Sequence, residues 1–288
     1  MLNLDAIETF CVLVETGNFR RASEHLNRTQ PAVTQQLKRL EAEVGHLLLD
    51  RKRRVPTPKG ELLYAKGKKL LQDARDIPRL ISDEANELGS SLRVGTSDTN
   101  ALYFLPEYVR MFTAQWPETK LEIHSRSTDS VAAEVVDGKL DLGIITLPLS
   151  HADLETRALY HQQLQIVVPR EHRLTERKTT RLGELTDEPF VLLYPSTRTG
   201  TQIEQFFTER NFDASVSMYS GSFEVVKRYV REGLGIAILP EMVMTSSDAD
   251  DLVTLRMDGL PKIGIGAIWH KDRYQTKVAQ AFLEILSG

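Results

Sequence analysis

The sequence has a single cysteine, Cys11, and no run of 18 apolar residues. One cysteine excludes an intramolecular disulfide and a zinc site built from several thiolates. The lack of a long apolar run argues against a membrane-spanning helix. The first residues carry Asp5, Glu8 and Glu15 among apolar residues instead of a basic segment, so we expect no secretory signal. These absences predict a cytoplasmic protein without a metal, a cofactor or a membrane partner.

Signatures of catalysis are also missing. The seven histidines show no metal-ligand spacing, and neither a Walker-type glycine-rich loop nor a Gly-x-Ser-x-Gly elbow occurs. The segment 233–237, Gly-Leu-Gly-Ile-Ala, is similar to part of a dinucleotide loop, but it precedes a predicted strand instead of following one. We therefore predict that the protein is not an enzyme. Its length of 288 residues suits two or three domains.

Charge is unevenly distributed along the chain. The formal net charge of the whole sequence is −4. Residues 18–60, however, contain ten Lys and Arg against four Asp and Glu. Concentrated positive charge is what contact with nucleic-acid phosphates requires. A basic surface that meets only solvent is the alternative that charge alone leaves open.

Three short helices are predicted in the first 45 residues. Apolar residues recur at helical spacing over residues 4–15, and Gly17 marks the end of that helix. A second helix is predicted over 19–26. A third follows, with Thr29 as its N-cap, and runs to about residue 44. Two helices joined by a three-residue turn are typical of a helix-turn-helix.

The third helix has the composition of a DNA-recognition helix. Short polar side chains lie at its N-terminal end, where base edges are reached, and cations follow where phosphates pass. Residues 47–55 predict a strand, a basic turn and a strand, which is a wing suited to the DNA backbone or minor groove. The predicted DNA-binding residues are Arg20, Arg28, Thr29, Gln30, Pro31, Thr34, Gln35, Lys38, Arg39, Arg51, Arg53 and Arg54.

The run FRRASEHLNRTQPAVTQQLKRLEAEVG, followed by basic residues and by Thr-Pro-Lys-Gly at 57–60, resembles the DNA-binding domain of the LysR-type transcriptional regulators. Gln-Pro-Ala-Val opens the recognition helix, Leu-Glu-x-x-x-Gly closes it, and Thr-Pro-x-Gly begins the next helix. The combination is specific, and the likeness extends along the whole chain. Two departures are small, since the family usually has Phe in place of Leu49 and Ala in place of Lys59.

Residues 59–89 predict a long linker helix. Its apolar residues follow the spacing of a helix-pairing seam, which Gly67 and Glu84 interrupt. Pro78 within the helix predicts a bend. The resemblance implies that this helix pairs antiparallel with a second copy, giving a homodimer or a homotetramer, whereas packing on its own domain is the alternative. The predicted dimerisation residues are Leu63, Leu70, Ala74, Ile77 and Ile81.

From Leu92 onward strands and helices alternate, which predicts open α/β sheets with parallel strands. The predicted fold class is thus α/β with an all-α, winged N-terminal domain. It comprises a winged helix-turn-helix (1–58), the linker helix (59–89) and an effector domain (90–288). By resemblance, the effector domain has the two-lobed fold of periplasmic binding proteins. Lobe I is predicted over 90–161 and 268–288, and lobe II over 162–267.

Ligands of open α/β sheets bind beyond the carboxyl ends of strands, next to helix N-termini. Hydroxyl-bearing residues cluster at such places, and one arginine adds a full positive charge. The hydroxyls, the N–H groups at helix starts and the arginine suit a small anion such as an organic acid. Asp98 would repel an anion but would accept the amino group of a zwitterionic amino acid. N-capping is the alternative role of each hydroxyl. The predicted effector-binding residues are Thr96, Ser97, Asp98, Thr99, Ser127, Thr146, Thr197, Arg198 and Thr199.

The sequence therefore predicts a sequence-specific DNA-binding transcriptional regulator whose DNA binding responds to a small-molecule effector. The expected partners are double-stranded promoter DNA, the effector, RNA polymerase and further copies of the chain. The alternative is a ligand-independent architectural DNA-binding protein whose C-terminal lobes only oligomerise. A thiol-based redox sensor is excluded, because it requires reactive cysteines in the sensor domain and Cys11 lies on the apolar face of the first helix.

Overall fold

A computed structural model describes residues 3–50, 52–84 and 91–288. The chain divides into two compact units, unit 1 (residues 1–86) and unit 2 (residues 87–288). The predicted wing residue Arg51 and residues 85–89 of the predicted linker helix lie outside the described residues. None of the described helices is long and apolar enough to cross a membrane.

Unit 1 is a helical domain that carries a short two-stranded wing. Its elements in chain order are α1 (Leu4–Thr16), α2 (Phe19–His25), α3 (Gln30–Val44), β1 (Leu49–Asp50), β2 (Val55–Pro56) and α4 (Pro58–Glu84).

The helix boundaries of unit 1 follow from local capping. Gly17 and Gly45 adopt positive φ angles of 59° and 71° just after α1 and α3, a conformation that glycine adopts most readily. The side chains of Asn18 and Thr29 accept hydrogen bonds from first-turn N–H groups of α2 and α3. The predicted helix-turn-helix and its wing are confirmed.

Helix α4 packs antiparallel against α1 as far as Arg75. Glu15 of α1 forms an ion pair with Lys68 at 3.4 Å, and Glu8 forms one with Arg75 at 2.9 Å. The two helices approach closely at Gly67, because a Cβ added there would lie 2.7 Å from a methyl group of Ile7. The helix continues through Pro78 to Glu84 without interruption.

Unit 2 alternates strands and helices. In chain order its elements are β3 (Ser91–Thr96), a π-helical turn (Asn100–Phe104), α5 (Leu105–Gln115), β4 (Lys120–Ser125), α6 (Thr128–Val136), β5 (Leu142–Thr146), β6 (Leu154–Pro169), β7 (Phe190–Leu193), α7 (Arg198–Glu209), β8 (Val216–Ser220), α8 (Phe223–Arg231), β9 (Ala237–Pro240), β10 (Leu252–Leu255), β11 (Lys262–His270) and α9 (Lys277–Ser287).

The sheets of unit 2 are mixed, so the predicted parallel sheets are only partly correct. In lobe I, β3 pairs in parallel with β4 and β5, while β5 pairs antiparallel with β11. Strand β6 pairs antiparallel with β11 over residues 154–163 and then with β9 and β10 over residues 164–169. In lobe II, β7 and β8 form a parallel pair. Strands β6 and β11 therefore connect the lobes.

The return strand β11 joins lobe I earlier than predicted. It pairs with β5 from Ile265 to Ile268, whereas the predicted boundary follows residue 267. Ile263 belongs to the core of lobe II, and Ile265 belongs to the core of lobe I. From here we define lobe I as residues 91–163 and 264–288, and lobe II as residues 164–263.

Helices cover both faces of each lobe. In lobe I, α5 and α9 pack on Leu142 and Ile144 of β5, whereas α6 packs on Ile145 and on Ile268 of β11. In lobe II, α7 packs on Leu192 of β7 and α8 packs on the neighbouring side chains of that strand. Because successive strand residues point to opposite faces, α5 and α6 lie on opposite faces of lobe I, as α7 and α8 do in lobe II.

Candidate functional site

The N-terminal half of α3 presents an open polar surface. Gln30, Pro31, Gln35 and Lys38 are exposed, and with the half-buried Thr34 they line a groove of about 410 Å³. The predicted contact Arg39 is exposed as well. These side chains leave amide, hydroxyl and ammonium groups at the surface, which is the donor and acceptor set that reads base edges and phosphates.

Arg28 has an internal role that the sequence analysis did not predict. The side-chain oxygen of Gln36, which lies on α3, accepts hydrogen bonds from the Arg28 guanidinium and the Thr9 hydroxyl, each at 2.6 Å. Arg28 also forms an ion pair with Asp5 at 3.2 Å. The guanidinium therefore ties the recognition helix to α1. The exposed Arg20 is paired with Glu24 at 3.1 Å on the same helix.

The wing displays exposed cations on a turn that Asp50 organises. Its carboxylate accepts hydrogen bonds from the backbone N–H groups of Arg53, at 3.0 Å, and Lys52, at 2.9 Å. These bonds hold the pKa of Asp50 below its ordinary value. The side chains of Lys52, Arg53 and Arg54 are exposed, and Arg54 has a positive φ of 58°. The turn thus directs the basic side chains to solvent.

The wing is held in place by residues of the Leu-Glu-x-x-x-Gly motif at the end of α3 and of the Thr-Pro-x-Gly motif at the start of α4. Glu41 is buried, and its carboxylate accepts hydrogen bonds from the N–H groups of Leu48, at 3.0 Å, and Leu49, at 3.4 Å. The Thr57 hydroxyl caps α4 by accepting from the Gly60 N–H at 3.1 Å. A Cβ at Gly60 would lie 2.0 Å from the Leu48 carbonyl oxygen, so only glycine fits there without movement.

The predicted dimerisation residues divide into two groups. Leu63 is half-buried and packs against the core of unit 1. For this residue the structure favours the alternative, packing of the helix on its own domain. Leu70, Ile77 and Ile81 are 46%, 53% and 64% exposed, and Ala74 is half-buried. The exposed part of the predicted dimerisation seam therefore begins at Leu70, after the close contact of Gly67 with α1.

Three predicted effector residues act as helix N-caps in unit 2. The Ser97 hydroxyl accepts from the Asn100 N–H at 3.2 Å before the π-helical turn. The Ser127 hydroxyl accepts from the Ser130 N–H at 3.3 Å, and the Thr197 hydroxyl accepts from the Gly200 N–H at 3.0 Å. Capping uses one lone pair of each oxygen, and these partly or fully exposed hydroxyls can still bind a ligand.

Thr96 needs correction. It is fully buried, and its hydroxyl donates to the Ile144 carbonyl at 2.8 Å, so a ligand does not reach it in this structure. Thr199 is also buried, in the first turn of α7. The remaining predicted residues, which are at least partly exposed at strand ends or helix starts, are Asp98, Thr99 and Thr146. The Asp98 carboxylate accepts a hydrogen bond from the Ser125 hydroxyl.

Arg198, predicted to bind an anionic effector, forms an ion pair with Asp129. Arg198 begins α7 in lobe II, and Asp129 lies in the first turn of α6 in lobe I. Beside this contact, the Gln202 amide of α7 donates to the Leu147 carbonyl of lobe I at 3.2 Å. A carboxylate of the other lobe thus neutralises Arg198, which no local pattern in the sequence predicts.

A second inter-lobe contact surrounds the buried Lys227 of α8. Its ammonium donates to the Asp248 carboxylate at 3.0 Å, the Val243 carbonyl at 2.8 Å and the Tyr103 hydroxyl of lobe I at 3.2 Å. It is also 2.8 Å from Glu224, which contacts the Tyr103 hydroxyl. We call Tyr103, Glu224, Lys227 and Asp248 the Tyr103 cluster. No sequence pattern predicts this cluster, because a lysine on a helix is ordinarily at the surface.

The carboxyl of Asp248 is ionised more readily than an ordinary aspartate. Burial raises its pKa, but hydrogen bonds from the Thr245 backbone, the Lys227 ammonium and the Thr245 hydroxyl outweigh burial and bring the pKa below its ordinary value. Arg231 forms a further ion pair with this carboxylate. Among the described residues, no group of three His, Cys, Asp or Glu side chains is placed to hold a metal ion.

A winged helix-turn-helix followed by a two-lobed α/β unit defines a DNA-binding regulator with a sensor domain. The sequence of residues 4–61 matches the family model described as bacterial regulatory helix-turn-helix protein, lysR family. Residues 85–288 match the family model of the LysR substrate binding domain. The chain belongs to the LysR family of transcriptional regulators. The predictions of the fold class and of a protein that is not an enzyme are confirmed.

Individual relatives and solved structures resemble the whole chain or its C-terminal unit. A probable RuBisCO transcriptional regulator of Trichormus variabilis is 30% identical over 97% of this chain and 86% of that protein. The full-length CbnR structure in complex with its target DNA has a TM-score of 0.62 and 21% identity, covering 99% of each chain. The effector binding domain of QuiR in complex with shikimate has a TM-score of 0.62 and 21% identity, covering 69% of this chain and 95% of that one.

Proposed function

We propose that this regulator reads a specific operator with α3 and that a small organic acid or amino acid, bound between the lobes of unit 2, modulates its binding to DNA. The exposed polar half of α3 is the observation that carries the first part. Contact of the DNA-bound protein with RNA polymerase, in the cytoplasm, belongs to the same proposal. The structure of CbnR with its target DNA supports operator binding by analogy.

Specific readout is assigned to Gln30, Thr34 and Gln35, and general affinity to the wing cations. An amide that bonds a base edge contributes about 1–3 kcal/mol of discrimination against the wrong base. Gln35→Ala therefore weakens binding to the operator about 5- to 150-fold and leaves binding to unrelated DNA nearly unchanged. Arg53→Ala weakens both and flattens the dependence on salt, because fewer counterions are released.

The operator is first located by footprinting the DNA beside the gene, and affinities are then measured by fluorescence anisotropy at several salt concentrations. Glu43→Ala, an exposed change near the end of α3, is the control and should leave the preference for the operator over unrelated DNA unchanged. Equal losses on operator and unrelated DNA in Gln35→Ala and Arg53→Ala would contradict the assignment.

The effector part is supported by the polar groups at the lobe boundary. Ser97, Ser127 and Thr197 cap helix starts, where free N–H groups and the helix dipole favour an anion, and Arg198 adds a positive charge. The structure of the QuiR effector domain with shikimate supports a small polar ligand by analogy. We call the space between lobe I and lobe II the cleft. Ligand contacts from both lobes favour the closed cleft, since a ligand shifts an equilibrium only by its differential affinity for the open and closed states.

Organic acids and amino acids are screened by thermal shift of the full-length protein. Arg198→Gln should abolish the shift caused by an acid and retain most of the shift caused by a neutral ligand. Arg228→Gln, an exposed arginine of lobe II, is the control. A ligand whose affinity survives Arg198→Gln and Ser127→Ala does not bind in the cleft. A protein that responds to no ligand would instead be a ligand-independent architectural protein.

A further inference from the structure

We propose that the cleft opens on the face of the Asp129–Arg198 ion pair and pivots about the Tyr103 cluster on the opposite face. The inference rests on the proposed function, because closure regulates binding only if the cleft holds an effector. It assigns different tasks to two contacts that both join lobe I to lobe II. Its basis is their position, their burial and their chemistry.

The two contacts lie on opposite faces of the sheets. The ion pair joins α6 to α7, and the Tyr103 cluster joins the π-helical turn before α5 to α8. Helices α5 and α6 cover opposite faces of lobe I, and α7 and α8 cover opposite faces of lobe II. Between the two contacts only the strands β6 and β11 carry the chain from one lobe to the other. A rotation about one contact therefore separates the other.

The ion pair is the weaker contact. The side chain of Asp129 is 79% exposed and that of Arg198 is 35% exposed. An ion pair so accessible to water contributes little, because the charges are solvated when apart and salt screens them when together. Its loss leaves no buried charge behind. The face with the ion pair can open at little cost, and opening frees the Arg198 guanidinium for a ligand.

The Tyr103 cluster is the stronger contact. The Lys227 side chain is only 2% exposed, and its ammonium meets lobe I through the Tyr103 hydroxyl at 3.2 Å. Its partners Asp248, Val243 and Glu224 belong to lobe II, so withdrawal of Tyr103 costs this buried charge one hydrogen bond. Tyr103 also packs against the lobe II core, and the nearby Met242 packs against the cores of both lobes. Apolar burial thus adds to the polar contact on this face. The π-helical turn Asn100–Phe104 places Tyr103 there, and π-helical turns in proteins frequently occur at functional positions.

The test measures distances between spin labels in the full-length, ligand-free protein, with labelled chains diluted into unlabelled ones. Ala133→Cys with Gln205→Cys reports on the ion-pair face, since these residues are exposed on α6 and α7. Arg110→Cys with Tyr229→Cys reports on the Tyr103 face, on α5 and α8. Cys11 needs no replacement, because it is buried and its thiol pKa is raised to about 12.

Raising NaCl to about 0.5 M should lengthen the 133–205 distance and leave the 110–229 distance unchanged, because salt screens the exposed charges. Asp129→Asn should have the same effect at low salt, with about a two- to fivefold larger open population, and should remove the response to salt. Glu118→Gln, an exposed carboxylate of lobe I, is the control. Tyr103→Phe should broaden the 110–229 distances.

A 133–205 distance that changes neither with salt nor in Asp129→Asn would overturn the inference. Equal changes in the 133–205 and 110–229 distances would also overturn it. Circular dichroism confirms that each variant is folded. Since no ligand is present, the result is independent of the effector screen. Salt-dependent opening without any responsive ligand would refute the proposed effector function and leave the inference about opening standing. A responsive ligand together with label distances that do not change would refute the inference and leave the proposed function standing.

Discussion

Replacing Glu41 with alanine is expected to release the wing from the recognition helix. The carboxylate is buried and accepts from two backbone N–H groups, those of Leu48 and Leu49. A hydrogen bond to a charged acceptor contributes about 1.5–3 kcal/mol, and the longer bond to Leu49, at 3.4 Å, contributes less. Alanine leaves both amides buried without this acceptor, so we expect a loss of about 2–4 kcal/mol in the local stability of the wing.

Amide hydrogen exchange of residues 48 and 49 measures this loss directly. A change of about 2–4 kcal/mol corresponds to exchange that is about 30- to 700-fold faster, provided the amides exchange by local opening. Glu41→Gln keeps one acceptor oxygen and should have a smaller effect. Glu43→Ala, two residues away and exposed, should change the exchange rates little. Unchanged exchange in Glu41→Ala would refute the assigned role, whatever happens to DNA affinity.

Further changes test other parts of the chain. Gly60→Ala should destabilise the protein by about 1–3 kcal/mol in thermal unfolding, unlike Gly183→Ala, where a Cβ meets nothing within 4 Å. Asp248→Asn should lower the free energy of unfolding at neutral pH. The difference from wild type should shrink below about pH 4, because the stability that comes from a lowered carboxyl pKa is lost when the carboxylate is protonated. Urea titrations at neutral pH and below pH 4 measure the two differences. Leu70→Asp should shift the protein toward monomer in light scattering, whereas Leu62→Asp, off the predicted seam, should not.

Local signals were sufficient for unit 1. Positive-φ glycines and capping side chains act within a few residues, so the ends of α1 and α3 follow from Gly17, Gly45 and Thr29. The roles of Glu41 and Gly60 could not be predicted in this way. They depend on the approach of the wing to the helices before and after it, which the sequence pattern of either helix does not contain.

Unit 2 was predicted less completely, because its strands pair over long separations. The first half of β6 is mostly exposed and polar, which hides it from a search for apolar runs. Thr96 follows Leu92 and Val94 at strand spacing, so its burial was a signal available in the sequence. The ion pair of Asp129 with Arg198 joins residues far apart in the sequence, and no local pattern contains it.

The order of the strands also determines the order in which the two lobes can be completed during synthesis. Lobe II is an insertion within lobe I, entered through β6 and left through β11. The last helix, α9, contributes Phe282 to the core of lobe I, where its ring meets that of Phe112 at a centroid distance of 5.2 Å. Lobe I therefore begins first and finishes last. A chain that ends before α9 contains all of lobe II but leaves the lobe I core open, so a late nonsense mutation damages the lobe that was started earlier.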